Sequence, residues 1–272
     1  MCCVKTIAGC FEQLPQILRD GDAARLIALF SQGKVCVNVP RYGQIGNNIV
    51  FGRYLKKVWQ WIEQREDLRW EYFGAFHDEA HLALNAVLYF TVRDEEFNYR
   101  KELHIPVSVM CELKDGAIKA ARVYYSTYWI AGHNIVRPAL LNEDPSLMAT
   151  LPDKERLYFE CLWKGDSDTI LREVIDPNAY FMGTAYSYNQ GPDLIKTFNG
   201  LFSGGRNTEL RLCSAFSAQG HLIIEYMNHR SGGNPNTPSA GMAIYGYTPE
   251  GKIAYAPPAG DSLFDHCLWP TL

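Results

Sequence analysis

The run His221-Leu222-Ile223-Ile224-Glu225-Tyr226-Met227-Asn228-His229 holds one carboxylate in a strongly apolar setting. In an extended strand successive side chains alternate, so Glu225 shares a face with His221, Ile223, Met227 and His229, while Leu222, Ile224 and Tyr226 take the other. If the Glu225 face lines an interior, its carboxylate can work as a general acid or base, with Tyr158 or His229 as hydrogen-bond partner. If that face meets water or another domain, it has no such role. Glu225, Tyr158 and His229 form the candidate catalytic set. Counted from His81 as the counterpart of His221, the matching position in the first half is Asn85, which cannot titrate, so the two halves are expected to differ.

In the first half the polar candidates are Tyr42, Glu102, His104 and Arg122. His104, between Leu103 and Ile105-Pro106, offers a neutral imidazole, either as a base or as a hydrogen-bonding group within the core. Arg122, ahead of Val123-Tyr124-Tyr125, is suited to fixing an anionic or carbonyl group. Candidate substrate contacts are therefore Tyr42, His104, Arg122 and Tyr124 here, with Met182 and Tyr245 in the second half. An aromatic content of 13% suits a flat, apolar ligand such as a polyketide, terpenoid or steroid. His77 and His81 have the spacing of a metal-binding pair, yet Asp78-Glu79 between them reads as a turn that would splay the rings, so no metal is expected. Gly-rich phosphate loops, nucleophile elbows and zinc-type spacings are missing, and no cofactor is expected.

The formal net charge is -4, with no Lys/Arg-rich block, which disfavours a nucleic-acid partner. No run of about 18 apolar residues is present, so no membrane span is expected. The eight cysteines are scattered, and Cys36, Cys111 and Cys161 sit in apolar patterns where a reduced thiol acts as a small hydrophobe. The first residues carry too short and too interrupted an apolar run for a signal peptide. Together these features predict a cytoplasmic protein. A length of 272 residues exceeds the usual domain size of about 100 to 150 residues, which predicts two domains.

The elements that must position these residues repeat. One copy opens with Phe11 to Asp22 and the other with Glu155 to Asp166, each closing on Gly-Asp. Asp22 and Asp166 suit the caps of following helices, Ala23 to Phe30 and Ser167 to Val174. A short strand is expected next in each copy (Lys34 to Pro40, Ala179 to Gly183), then another helix (Phe51 to Glu63, Gly191 to Leu201). The period then changes to alternation. Strands are predicted over Leu68 to Phe76, Leu82 to Val92, Tyr99 to Leu113 and Ala117 to Trp129, and again over Glu209 to Phe216, Leu222 to His229, Ala240 to Thr248 and Lys252 to Ala256. Lys114-Asp115-Gly116 and Pro249-Glu250-Gly251 mark hairpins. Helices first and antiparallel strands afterwards give an α+β class. The expected layout is one domain over residues 1–130, a Pro-containing linker over 131–151 and a second domain over 152–272.

This order resembles the nuclear transport factor two-like superfamily, which includes SnoaL-like polyketide cyclases, ketosteroid isomerases and limonene epoxide hydrolases. The residues that carry it are Gly21 to Phe30, Val39-Pro40, Phe51-Gly52, and Asp115-Gly116-Ala117-Ile118 leading to Arg122-Val123-Tyr124-Tyr125. The resemblance implies two tandem cone-shaped domains, each a curved antiparallel sheet wrapped around N-terminal helices and enclosing one pocket. It also implies pairing through the sheet faces, within the chain or with a second copy. Residues that the superfamily uses for catalysis are partly missing. The ketosteroid isomerases carry an aspartate where this chain has Val39 and Met182, and their oxyanion-binding tyrosine is matched by Tyr158 but, in the first copy, by Leu14. The acid that the epoxide hydrolases place after the last-strand aromatic pair is Ser126 here. The resemblance implies a cofactor-independent isomerase, cyclase or dehydratase acting on a small hydrophobic metabolite, with a non-catalytic binding or scaffold protein and an epoxide hydrolase as the alternatives.

Overall fold

The computed structural model describes residues 4–40, 42–94, 99–125, 140–182, 188–190, 208–230 and 239–256. The chain divides into two compact units, Met1–Tyr125 and Ser126–Leu272.

In the first unit, α1 (Val4–Glu12), α2 (Leu14–Arg19) and α3 (Ala23–Ile27) precede β1 (Val37–Val39), β2 (Gly43–Ile45) and α4 (Asn48–Glu63). Asp22 caps α3 as expected, its carboxylate accepting from the Arg25 N–H at 3.1 Å. The cap of α4 is Asn47, whose side-chain oxygen accepts from Ile49 at 2.9 Å and Val50 at 3.1 Å. One stripe of this helix, Phe51, Leu55 and Ile62, is buried, the spacing of an amphipathic helix laid on a core. Four long strands follow: β3 (Glu66–His77), β4 (His81–Asp94), β5 (Tyr99–Lys114) and β6 (Ala117–Tyr125).

The first described helix of the second unit is α5 (Ser146–Thr150), inside the segment expected to be a linker, and Asp144 N–H donates to the Leu212 carbonyl. Next come α6 (Asp153–Lys164) and α7 (Ser167–Thr169), the latter continuing as a π-helical turn over Ile170–Val174. Gly165 ends α6 at φ 72, a left-handed conformation that glycine adopts without steric cost. The strands are β7 (Ile175–Met182), β8 (Tyr188–Gln190), β9 (Thr208–Ala218), β10 (His221–Arg230), β11 (Ser239–Tyr247) and β12 (Ile253–Ala256). The expected helix at Gly191 to Leu201 lies outside the described residues.

The two sheets have the same plan. Their strand orders are β2-β1-β6-β5-β4-β3 and β8-β7-β12-β11-β10-β9. Each is mixed rather than wholly antiparallel, because β1 runs parallel to β6 and β7 parallel to β12. The physical reason is connectivity: the chain reverses once between the first two strands and three times within the meander, an even total, so the last strand lies beside the first in the same direction. Bulges at Tyr72/Gly74 and Glu225/Tyr226 bend the long strands.

In both units the helices cover one sheet face. Phe11 of α1 meets Trp70 and Tyr72 edge-on at 5.3 and 6.1 Å, and Trp61 of α4 meets Phe90 at 5.4 Å. In the second unit Tyr158, Phe159 and Leu162 of α6 pack with Leu222, Ile224, Tyr226 and Tyr245. The central strands are buried on both faces: Leu82 to Thr91, Leu222 to Met227 and Gly241 to Gly246 run without an exposed residue. Each Leu or Ile so enclosed stabilises the fold by about 1.5–3 kcal/mol relative to exposure. Among the described residues no helix is long and apolar enough to cross a membrane.

Candidate functional site

The helix-covered side of the second sheet carries a group of polar atoms in aromatic surroundings. Tyr158 of α6 lies 5.7 Å from Tyr245 of β11 and 5.5 Å from Phe159, ring to ring, and Phe159 is 6.5 Å from Tyr245. Glu155 stands three residues before Tyr158, on the same helix face, and is only 5% exposed. It lies in the first turn of α6, where the helix dipole favours negative charge. Glu155 forms no ion pair with any described residue. Two residues after Tyr245, past a bulge at Gly246/Tyr247, Tyr247 points its phenol toward the same place. The hydroxyl is buried and has no hydrogen-bond partner of normal geometry. Burial above all, and then the negative charge of Glu155 and the pull of its carboxylate on the hydroxyl proton, push the Tyr247 phenol far above its ordinary range, so it stays a neutral donor.

A buried carboxylate beside an unsatisfied hydroxyl can exchange a proton with a bound molecule and donate a hydrogen bond to it. Sequence reasoning found Tyr158 and Tyr245 but passed over Glu155 and Tyr247. Their signal was present: Glu155 lies on the apolar stripe of α6 with Tyr158, Phe159 and Leu162, and Tyr247 follows Tyr245 at strand spacing.

The expected catalytic set does not come together. Glu225 pairs in register with Ser214 and Met242, whereas Tyr245 pairs with Leu222. Cross-strand partners share a face, so Glu225 and Tyr158 are on opposite sides of the sheet. Glu225 is 1% exposed, on the side turned away from the helices. His229, on that same side, binds Glu143 through Nε2 at 2.6 Å, and Glu143 also contacts Arg211 at 3.4 Å. It is part of a charged cluster remote from Tyr158.

The candidate substrate contacts of the first unit are similarly dispersed. Tyr42 is 48% exposed and packs on Tyr54 at 5.3 Å. Arg122 is buried, its guanidinium donating to Glu112 Oε1 at 2.6 Å. Both it and Tyr124 pair with Met110 and Ser108 on the side away from the helices, where Ser108 donates to Asn85 at 3.2 Å. The backbones of His104 and Met182 lie in β5 and β7; their side chains are outside the described residues. On the helix-covered side of this sheet no carboxylate is buried among the described residues. The buried polar atom there is the Trp70 indole nitrogen, which has no acceptor. His81 Nδ1 meets the Asp78 carboxylate at 3.2 Å, and no three metal-binding side chains gather among the described residues.

No family model matches the chain, and no curated protein matches it. Solved structures do. A candidate polyketide cyclase from Sinorhizobium meliloti is 18% identical, with a TM-score of 0.33, over 41% of this chain and 97% of its own. A hypothetical protein with a ketosteroid isomerase-like fold from Catenulispora acidiphila is 12% identical, with a TM-score of 0.35, over 47% and 91%. A nuclear transport factor two-like protein of unknown function from Cytophaga hutchinsonii is 13% identical, with a TM-score of 0.32, over 44% and 98%. Independently of these, the described elements of the two units follow one order, and their two sheets share one strand order.

Proposed function

We propose that the second unit encloses a small, largely apolar molecule between α6 and its sheet and performs cofactor-independent acid/base chemistry on it. Glu155 is the proton-transferring group, and the hydroxyls of Tyr247 and Tyr158 are its hydrogen-bonding companions. The observation that carries this is the Tyr247 hydroxyl, buried beside the buried Glu155 carboxylate, which is near enough to act on it although the two make no hydrogen bond of normal geometry. An unmade hydrogen bond there costs about 1–3 kcal/mol, which a ligand's polar group would recover. The polyketide cyclase and isomerase-type names of the structural neighbours agree with a small-molecule role.

The test uses ligand-observed NMR with 2-naphthol, 2-acetylnaphthalene and 2-(aminomethyl)naphthalene, and native mass spectrometry for a compound retained on purification. At least one naphthalene should bind the wild type and lose tenfold or more in affinity to Glu155→Gln/Tyr247→Phe. Failure of all three to bind, or equal binding to the double variant, would overturn the assignment of this site. Turnover of a retained compound should vanish in Glu155→Gln even at concentrations that saturate the variant; undiminished turnover would remove the acid/base role.

A further inference from the structure

A carboxylate that is 5% exposed normally has a cation or several donors beside it, because an ionised group withdrawn from water without a partner is costly. Glu155 has no ion pair among the described residues, and the group that acts on it most directly is the Tyr247 phenol, a neutral donor that brings no charge. The basic residues next to it in sequence do not compensate. Arg156 turns back to Asp153 and to the Leu151 carbonyl, and the charge of Lys154 is felt at Glu173. Three and four residues further along the same helix face stand Tyr158 and Phe159, and their rings pack with that of Tyr245, the three within 5.5 to 6.5 Å of one another. Aromatic faces carry negative electrostatic potential, so they attract a cation and repel an anion.

From this missing charge partner we infer that the molecule bound at Glu155 carries a cationic nitrogen, an ammonium or iminium attached to an apolar body. The inference rests on the binding site proposed above and adds the charge of its ligand. The cation would pair with the Glu155 carboxylate, its alkyl groups would lie against the tyrosine and phenylalanine rings, and the Tyr247 hydroxyl would serve an acceptor elsewhere on the ligand. An N–H cation would also give Glu155 its proton: the N–H bond breaks, the carboxylate takes the proton, and the electron pair remains on nitrogen.

Three probes of one shape test it by calorimetry on the full chain: 2-naphthyltrimethylammonium, its neutral isostere 2-tert-butylnaphthalene, and 2-naphthoate. The cation should bind at least tenfold tighter than the isostere, and the anion should bind weakest. Glu155→Gln should bring the cation's affinity down to that of the isostere and leave the isostere within twofold. Equal or tighter binding of the isostere or the naphthoate, or an unchanged cation affinity in Glu155→Gln, overturns the inference and leaves the proposed site standing. Absence of binding by all three overturns both. Should the variant fail to fold, the ranking of the three probes on the wild type decides alone.

Discussion

At the residue scale, the second unit buries a carboxylate without an ion pair and, beside it, a phenol that makes no hydrogen bond of normal geometry. Such groups reduce stability, and removing one is informative. Tyr247→Phe deletes a buried hydroxyl that makes no hydrogen bond of normal geometry, so the unliganded protein should be unchanged or more stable by up to about 1 kcal/mol. Urea denaturation measures this; a loss above about 1 kcal/mol would mean that the hydroxyl is satisfied after all. In the first unit Tyr72 is pushed up to about 12 by burial and by the nearby Glu12 carboxylate. A phenol whose folded value is raised contributes stability that is intact below about pH 10, its unfolded value, and is lost as pH rises from there toward 12. Tyr72→Phe should flatten that alkaline decline, and an unaltered slope would place its cause elsewhere.

At the element scale, the caps and ion pairs fix where the secondary structure begins and ends. Asn47→Ala removes the oxygen that accepts from Ile49 and Val50 at the start of α4 and should cost about 1 kcal/mol. Gly165→Ala forces a side chain into the left-handed position that ends α6, at a cost of about 1–2 kcal/mol. It would also disturb the helix that presents Glu155 and Tyr158. Urea midpoints check both, and a cost below about 0.3 kcal/mol would show that the cap in question is dispensable. On β5 and β6, burial draws the Glu112 carboxyl upward, but hydrogen bonds and charge from Arg122 and Lys119 outweigh it, and the group ends below its ordinary range. Its stabilising effect is therefore present above the usual carboxylate range and lost as pH falls through the lowered value. Arg122→Met should weaken the first unit by about 1–3 kcal/mol near neutrality and make its stability less sensitive to acid. Equal acid sensitivity in the variant would argue against the pair.

At the scale of the whole chain, the repeat is one of architecture and not of chemistry. Both units run helices, a first strand, and a meander whose last strand returns parallel to the first. Only the second unit buries a carboxylate among the described residues on its helix-covered side. Binding of 2-naphthyltrimethylammonium should accordingly saturate at one molecule per chain, as native mass spectrometry can count. Two bound molecules, with one lost in Glu155→Gln, would show that the Trp70 side of the first unit is also a site.

Most of the fold was legible in the residues because its signals are local. Asp22 and Asp166 announced helix starts, Gly116 and Gly251 announced hairpins, and the change from helical to alternating period at Leu68 marked the first long strand. The short strand Gly43–Ile45 and helix Ser146–Thr150 carry too few residues for a period and were not foreseen. Alternation also sorted the side chains of β10 correctly into two sets. It could not say which set the helices would cover, because a period of two is unchanged when the strand is turned over, and both sets here are apolar. Tertiary packing made that choice: α6 lies on Leu222, Ile224 and Tyr226. Glu225 is thereby separated from Tyr158, and Glu155, whose importance depends on contacts distant in sequence, becomes the carboxylate within the aromatic core.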